Sequence, residues 1–258
     1  MKLTVLTENT TNDPRLTAEH GLSLYIETKR HRILFDTGQS GVFADNAKAL
    51  GVDLKNIDFA VLSHGHYDHG GGISRFLQEN QTAPIYMNEH AFGDYYNGVE
   101  KYIGLDPALQ ESGRLVLTGD AMEFAEGVQL FTCNDRVPVH KVDSAGLLKR
   151  DGEQLIADDF LHEQYLLLEE EGRKVLISGC SHKGVLNVMD WVKPDVLVGG
   201  FHFSKMEPER LAYAAEALQQ YPCTYYTCHC TGEAQFGYLQ GKMGDQLRYL
   251  GTGDVAEV

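Results

Sequence analysis

The sequence predicts a single α/β domain over residues 1–258, with its chemistry at the ends of strands. Short apolar runs typical of buried strands alternate with segments of helical periodicity, and neither a repeat nor a proline- or serine-rich linker divides the chain. Four of the predicted strands end in histidines close to glycine, at residues 64–69, 182, 202 and 229. Because loops at strand ends build the binding sites of α/β proteins, we expect these four segments to converge.

The individual elements are predicted from apolar periodicity and from turn-forming residues at their borders. The predicted strands are 3–7, 22–27, 33–36, 57–63, 84–87, 115–117, 128–132, 165–168, 174–178, 195–198 and 225–227. The predicted helices are 43–50, 73–78, 185–191 and 208–220. Residues 88–112 are less regular and rich in tyrosine and glycine, so we expect a lid-like insertion there. Its aromatic residues, Phe92, Tyr95, Tyr96 and Tyr102, either stack on a flat substrate or pack a small core.

Composition and charge disfavour several classes of protein. With 37 acidic against 22 basic residues the net charge is −15, a field that repels nucleic acid, and no basic run offsets it. No apolar stretch approaches the roughly 18 residues of a membrane span, and the first apolar segment is too short for a signal peptide. We therefore expect a cytoplasmic protein without a membrane partner. Its five cysteines are then expected to be reduced, buried or near a metal.

The segment from His64 to His69, with the sequence His-Gly-His-Tyr-Asp-His, carries the most specific signal. It places three imidazoles and one carboxylate within six residues, directly after a predicted buried strand. Imidazole and carboxylate ligands suit zinc, manganese or iron. Four donors are more than one catalytic ion takes from one segment while it keeps an open position, so two ions with further remote ligands are expected. The alternative, a polar turn with surface histidines, is disfavoured by this spacing.

This segment resembles the His-x-His-x-Asp-His signature of the metallo-β-lactamase superfamily. The resemblance implies a four-layer αββα sandwich and two divalent metal ions, with zinc the first expectation and manganese or iron the alternatives. Transferred by position, the implied ligands are His64 and His66 for the first metal, and Asp68, His69 and the C-terminal His229 for the second. The turn around Asp36 resembles an earlier Asp-x-Gly turn of the superfamily, which supports the histidine loop.

The middle of the expected site departs from the usual superfamily pattern. The chain has no Gly-His-Thr motif, and Cys180 stands where an aspartate is usual, followed by His182. We expect His182 to supply the third ligand of the first metal. Cys180 is either a ligand of the second metal, as in some of the lactamases, or a small buried core residue. These departures resemble one branch of the superfamily, named for 7,8-dihydropterin-6-methyl-4-(β-D-ribofuranosyl)aminobenzene 5′-phosphate synthase, over blocks within residues 19–232.

The other histidines and cysteines allow more than one interpretation. His202 is expected in the substrate pocket, where it would bind an anion; a metal ligand and a loop cap are the alternatives. His20 is expected either at the pocket rim, as a substrate-binding residue, or in a structural role. Three histidines lack such a context and are expected at the surface or in hydrogen bonds: His31, His140 and His162. Of Cys228, His229 and Cys230, only one or two can face the metals, because alternate residues of a strand point in opposite directions.

The sequence favours a metal-dependent hydrolase, in which a metal-activated water attacks an ester or a phosphate-bearing small molecule. Asp68 would be the catalytic residue, because it would both bind a metal and orient the nucleophile. The branch resemblance gives an alternative, a pterin transferase with pyrophosphate as leaving group. A third interpretation is a metal-dependent ligand sensor without catalysis. The substrate is expected to be an anionic small molecule, and since one fold hosts many chemistries the residues do not choose between the three.

Overall fold

The computed structural model describes all 258 residues, which form eighteen strands and six α-helices. The strands are β1 Lys2–Thr7, β2 Ser23–Glu27, β3 Arg32–Phe35, β4 Phe59–Val61, β5 Ile85–Asn88, β6 Tyr95–Asn97, β7 Lys101–Tyr102, β8 Leu115–Thr118, β9 Ala121–Ala125, β10 Val128–Phe131, β11 Leu147–Asp151, β12 Gln154–Ala157, β13 Tyr165–Glu170, β14 Arg173–Ile177, β15 Val196–Gly199, β16 Thr224–Thr227, β17 Leu247–Tyr249 and β18 Val255–Glu257. The helices are α1 Val42–Leu50, α2 Tyr67–Gly70, α3 Ile73–Glu79, α4 Val185–Val192, α5 Pro208–Leu218 and α6 Glu233–Met243. No helix combines the length and the apolar character that crossing a membrane requires.

Two seven-stranded sheets lie face to face. The first has the order β18-β1-β2-β3-β4-β5-β8, and the second has the order β17-β16-β15-β14-β13-β10-β9. Between them lies a core of 22 buried residues from both sheets, including Phe35 and Val61 of the first and Ile177 and Val198 of the second. Helices α1 and α3 pack on the outer face of the first sheet, and α4, α5 and α6 pack on the outer face of the second. The predicted four-layer αββα sandwich is therefore confirmed.

The strand sequences explain why both faces of each sheet are buried. In β14, Val175 and Ile177 face the opposite sheet, whereas Leu176 faces the helices. In β15, Val198 points inward and Leu197 points outward. Because side chains alternate along a strand, a sheet covered on both sides requires a continuous aliphatic run. These are the runs that carry the histidine segments at their ends.

A third sheet, with the order β12-β11-β6-β7, is separate from the sandwich. Strands β6 and β7 belong to the predicted insertion at residues 88–112. The small core of this sheet consists of Tyr95, Ile103, Leu147 and Phe160. Tyr96 and Tyr102 meet edge to face, with ring centroids 5.4 Å apart, and Phe92 packs against the core under the first sheet. None of the four predicted aromatic residues lines the large cavity of the protein.

Candidate metal centre

The loops that follow four strands meet at one end of the sandwich. Strand β4 is parallel to β3 in the first sheet, and β14, β15 and β16 are parallel to one another in the second. The loops at their carboxyl ends are 62–66, 178–184, 200–207 and 228–232. The backbone N of Gly200 donates to the carbonyl oxygen of Gly179 at 2.8 Å and so joins two of these loops. The four histidine segments thus converge at the seam between the sheets.

His64, His66 and His182 form the first of two donor clusters. One ring nitrogen of each lies within 4.8 Å of the others. All three side chains are buried, and the Nε2 atom of each has no hydrogen-bond partner. The ring centroid of His64 lies 4.6 Å from that of His66 and 4.9 Å from that of His182. Three converging imidazoles are typical of a zinc site that keeps a fourth position open.

Asp68, His69, His229 and Cys180 form the second donor cluster. The Oδ2 atom of Asp68 lies 3.5 Å from His229 Nε2 and 3.9 Å from His69 Nε2. The Sγ atom of Cys180 lies 3.2 Å from His69 Nε2. Two ligands bound to one tetrahedral ion lie roughly 3.3–3.7 Å apart, so these spacings are close to those of a shared cation. Cys180 is therefore buried, and its thiol lies among the donors of this cluster.

Buried atoms without partners indicate that these residues fit metal ions. His229 Nε2, like the three Nε2 atoms of the first cluster, is inaccessible to solvent and lacks a hydrogen bond. A buried polar atom without a partner is unfavourable by about 1–3 kcal/mol, and here four of them lie together. Neutral imidazole nitrogen is a common metal ligand, so divalent cations would satisfy all four.

Hydrogen bonds at the Nδ1 atoms of three histidines fix the orientation of their rings. His69 Nδ1 donates to Asp36 Oδ2 at 2.6 Å, and His229 Nδ1 donates to the side-chain oxygen of Asn9 at 2.8 Å. His64 Nδ1 lies 2.8 Å from the hydroxyl of Ser63, which itself donates to Asp36 at 2.7 Å. With a proton held at Nδ1, Nε2 keeps the lone pair that a metal requires. Asp36 therefore supports the histidine loop, in the role that the resemblance implied.

Two further buried carboxylates hold ligand loops by their backbone. Glu163 accepts from the backbone N of His182 at 2.6 Å and from that of Lys183 at 3.0 Å. Glu8 accepts from the backbone N of His229 at 3.0 Å. Sequence reasoning missed both glutamates. A signal was present, because each lies within two residues of a buried apolar strand, where a carboxylate needs strong partners.

Burial keeps most of the imidazoles in the neutral form that binds metals. It lowers the pKa of His64 and of His182 well below the ordinary histidine value, and neighbouring imidazoles lower both further. Burial likewise lowers the pKa of His229 to about 4. These three residues are therefore ready to bind a cation at neutral pH without first losing a proton.

Asp68 and His69 form the charged pair of the centre. Burial opposes the ionisation of Asp68, but the neighbouring imidazoles, His69 first, outweigh it and hold the pKa of the carboxyl well below its usual range. At His69 burial is outweighed by Asp36 and Asp68, which raise the pKa of the ring to about 9. Burial raises the pKa of the Cys180 thiol well above its usual value. A cation in the second cluster would therefore displace protons from His69 and Cys180.

Gly65 allows the histidine loop to pass close to neighbouring backbone. A Cβ atom at this position would lie 2.1 Å from the carbonyl oxygen of Ala91. The backbone N of Gly65 donates to His162 Nδ1 at 2.9 Å, and His162 Nε2 donates to Asp158 at 3.1 Å. His162 is thus a buried, hydrogen-bonded residue that supports the histidine loop through the backbone of Gly65. Both of its ring nitrogens are hydrogen-bonded, and one of them lies within 4.8 Å of donor atoms of His66 and Asp158.

The two predicted substrate-binding histidines lie at the edge of the donor clusters. His20 Nε2 is 3.2 Å from Asp68 Oδ2, and the His20 side chain is 55% exposed, so it forms part of the rim. The ring of His202 lies 4.5 Å from that of His182, centroid to centroid. His202 also has a φ of 56°, a left-handed conformation that is uncommon outside glycine and that clusters at functional sites.

A cavity of about 830 Å³ adjoins both donor clusters, and His20 and His202 line it. Four cationic side chains contribute to its walls: Lys101, Lys141, Lys205 and Arg210. His140 also lines the cavity and contacts Asp190 at 3.1 Å, a position that sequence reasoning did not assign to it. Asp68, Asp143 and Glu209 also line the cavity, and Asp143 pairs with Arg210 at 3.2 Å. Lys101, Lys141 and Lys205 are therefore the side chains through which the cavity favours an anionic ligand.

Comparison with known proteins agrees with the fold. The family model of the metallo-β-lactamase superfamily matches residues 16–218. The chain therefore belongs to the metallo-β-lactamase superfamily.

Individual relatives cover nearly the whole chain. The 7,8-dihydropterin-6-methyl-4-(β-D-ribofuranosyl)-aminobenzene-5′-phosphate synthase of Methanocaldococcus jannaschii is 29% identical over 268 residues, which cover 92% of this chain and 90% of the relative. An uncharacterised protein of the same organism is 28% identical over 238 residues, covering 88% and 90% of the two chains. Among solved structures, Tm1679, described as a metal-dependent hydrolase of the β-lactamase superfamily, covers 100% of this chain and 99% of its own with a TM-score of 0.82 and 27% identity.

Proposed function

We propose that the protein is a metal-dependent hydrolase that uses two divalent ions on an ester or phosphate-bearing small molecule. The observation that carries the proposal is the group of buried, unpartnered imidazole nitrogens near Asp68, next to a large cavity whose lining includes three lysines and one arginine. Zinc is the proposed metal, with manganese or iron as alternatives, since nitrogen, oxygen and one thiol donor suit zinc first.

The two donor clusters divide the proposed ligands. His64, His66 and His182 would hold the first ion, and Asp68, His69, His229 and Cys180 would hold the second. When bound, the ions would supply Lewis acidity and lower the pKa of a water molecule to near neutrality. Asp68 would orient the nucleophile as well as bind metal, because its carboxylate is largely buried and ionised between the clusters and the cavity.

The cavity supports a small anionic substrate. Its volume of about 830 Å³ accommodates a molecule of cofactor size, and its walls carry lysine and arginine side chains. His202 would contact the anion beside the first cluster, and His20 would do so at the rim beside Asp68. The overall charge of −15 disfavours nucleic acid as a partner.

A second candidate function is a pterin transferase with pyrophosphate as leaving group. The observation that favours it is the similarity to the synthase of M. jannaschii, which extends over nine-tenths of both chains. The same cationic walls that would hold a phosphate ester would hold a leaving diphosphate. The same side chains could serve hydrolysis or pterin transfer.

Turnover by the metal-loaded protein tests both candidates. The protein, loaded with zinc or manganese and analysed for metal content, is assayed on phosphate monoesters, phosphodiesters, lactones and a pterin diphosphate with an aromatic amine. We expect metal-dependent hydrolysis that Asp68→Asn abolishes and that Asp45→Asn, a change in an exposed ion pair of α1, leaves intact. Turnover of the pterin pair alone would favour the transferase, and full metal loading without any turnover would favour a ligand sensor.

A further inference from the structure

We propose that Cys230 is a second thiolate ligand of the second metal, so that Cys180 and Cys230 together make this position selective for a thiophilic cation. The inference rests on the proposed metal centre and deepens it. Among residues 228–230 the family resemblance implies His229 as a ligand, and it does not imply Cys230.

The position of Cys230 within the centre is the first observation. Its Sγ atom, that of Cys180 and one ring nitrogen of His229 all lie within 4.8 Å of one another, and all three residues are buried. The Sγ atom of Cys230 also points to the carbonyl oxygen of Cys180 at 3.7 Å. Two ligands of a single tetrahedral zinc ion lie about 3.3–3.8 Å apart, which is within this limit.

The backbone makes room for this thiol. A Cβ atom on Gly200 would lie 2.3 Å from Cys230 Sγ, so any other residue at position 200 would displace the sulfur. Gly200 is itself held by its hydrogen bond to Gly179 at 2.8 Å, next to Cys180. The glycine therefore provides the space in which the two thiols approach each other.

The local backbone also explains why His229 and Cys230 both reach the centre. Strand β16 ends at Thr227, and His229 has a φ of 51°, which breaks the alternation of a strand. Cys228 remains fully buried in the core between the two sheets, among apolar residues such as Ile177 and Val198. The chain therefore supplies its own control, a buried cysteine two residues away that faces apolar side chains instead of the ligands.

Two thiolates would distinguish the second position chemically from the first. Soft sulfur donors favour zinc, cadmium or ferrous iron over manganese and magnesium, whereas the first position has three imidazoles. On binding, each S–H bond breaks, a sulfur–metal bond forms, and the proton passes to solvent. The second position is thus expected to select a thiophilic cation even where manganese is abundant.

Cobalt substitution tests the assignment without relying on activity. The full-length protein, freed of metal and kept reduced, is titrated with Co²⁺ while the near-ultraviolet sulfur-to-cobalt charge-transfer band is recorded. The band grows with the number of cobalt–sulfur bonds, so Cys180→Ala and Cys230→Ala are each expected to lose about half of it, and the double variant all of it. Cys228→Ala is expected to keep the full band.

A competition between Zn²⁺ and Mn²⁺ gives a second measurement. The double variant is expected to lose at least about tenfold in its preference for zinc at the second position, because only nitrogen and oxygen donors remain there. Circular dichroism and thermal melting of each variant establish that it is folded.

Two results would overturn the proposal. One is a folded Cys230→Ala variant with the cobalt band of the wild type. The other is a Cys180–Cys230 disulfide in the reduced preparation, seen as three free thiols in place of five. Failure of the proposed function is distinguishable, because full thiolate bands without turnover would remove the hydrolase and leave this ligand set standing.

Discussion

Glu163 accepts hydrogen bonds from the backbone of His182 and Lys183 and from the hydroxyl of Tyr165, at 2.6–3.0 Å. It touches no ligand atom, yet it fixes the loop from which His182 projects. Asp36 does the same for the histidine loop, and Glu8 does so for His229. Each ligand segment of the centre is therefore held by its own buried carboxylate, which neither binds the metal nor faces the cavity.

Replacing Glu163 by glutamine tests this role. Glutamine keeps the shape but replaces one acceptor oxygen by a donor, so it cannot accept from both backbone nitrogens and Tyr165 at once. We expect the affinity of the first metal position to fall about 10–100-fold, the range typical of residues that orient metal ligands. Competition with a chelator of known affinity measures the change.

The matched control is Glu79→Gln, which alters a partly exposed carboxylate paired with Arg75 on α3. It is expected to leave the affinity unchanged. A Glu163→Gln variant that melts like the wild type and binds metal equally well would show that the carboxylate does not position His182.

Removing a ligand should have a larger effect than removing its support. His64→Ala and His229→Ala are each expected to lose metal, because each deletes one of the unpartnered nitrogens of the centre. His90→Ala, a change in an exposed histidine outside both clusters, is expected to retain it. Metal content per chain after gel filtration decides the matter. Two metals per chain in either ligand variant would contradict the assignment.

At the scale of secondary structure, the buried elements could be predicted and the exposed ones could not. Strands such as β13, β14 and β15 are covered on both faces, so their sequences are continuous aliphatic runs. Strands β9, β11 and β12 contain only one buried residue between them, Leu147, so no continuous aliphatic run marked them. Helix α6 was missed because it contains Gly237 and Gly241 and buries only Leu239 and Met243.

In the candidate site, too, some residues could be predicted from the sequence and others could not. The residues 64–69 lie in one short segment with a specific spacing, so the sequence identified them as donors. Glu8 and Glu163 lie beside buried strands, which marks them as carboxylates that need partners, but their partners are backbone groups distant in the sequence, which only the folded chain identifies. The orientation of Cys230 depends on the left-handed conformation of His229, and only the folded chain provides that information.

The low helical propensity of α6, which contains two glycines, can be tested by substitution. A Cβ atom on Gly237 would meet no heavy atom within 4 Å, so alanine fits there without strain. Alanine is preferred over glycine in a helix interior by about 1 kcal/mol, and Gly237→Ala is expected to raise the free energy of unfolding by about that amount. Urea denaturation with an unchanged m-value would measure it.

Gly51 is the matched comparison, because here the backbone conformation disfavours alanine. It ends α1 in open space but with a φ of 75°, so Gly51→Ala is expected to be destabilising by about 1–2 kcal/mol. If both substitutions changed stability in the same direction, the backbone conformations of these two glycines would not explain the effect.

At the scale of the whole molecule, the centre lies at the seam of the sandwich. The loop after β4 in the first sheet supplies His64 and His66, and the loop after β14 in the second sheet supplies His182. Each proposed metal is therefore bound by ligands from both halves. An ion at either position would act as a cross-link between the sheets, in addition to any part it takes in catalysis.

Metal removal is therefore expected to lower the stability of the entire domain and not only of the loops. At a free metal concentration 1,000 times Kd, binding contributes about 4 kcal/mol to the native state. For a domain of this size 1 kcal/mol corresponds to about 2–4 °C in Tm, so the loss of one ion should lower Tm by about 8–16 °C, and a chelator that removes both ions should lower it further. Calorimetry of the metal-loaded and chelated protein measures the shift, and readdition of zinc should restore the original Tm.

A double variant, His64→Ala with His229→Ala, is expected to melt at the same temperature with and without the chelator. A chelated wild type that melts like the loaded protein would mean that the clusters do not join the two sheets through bound metal.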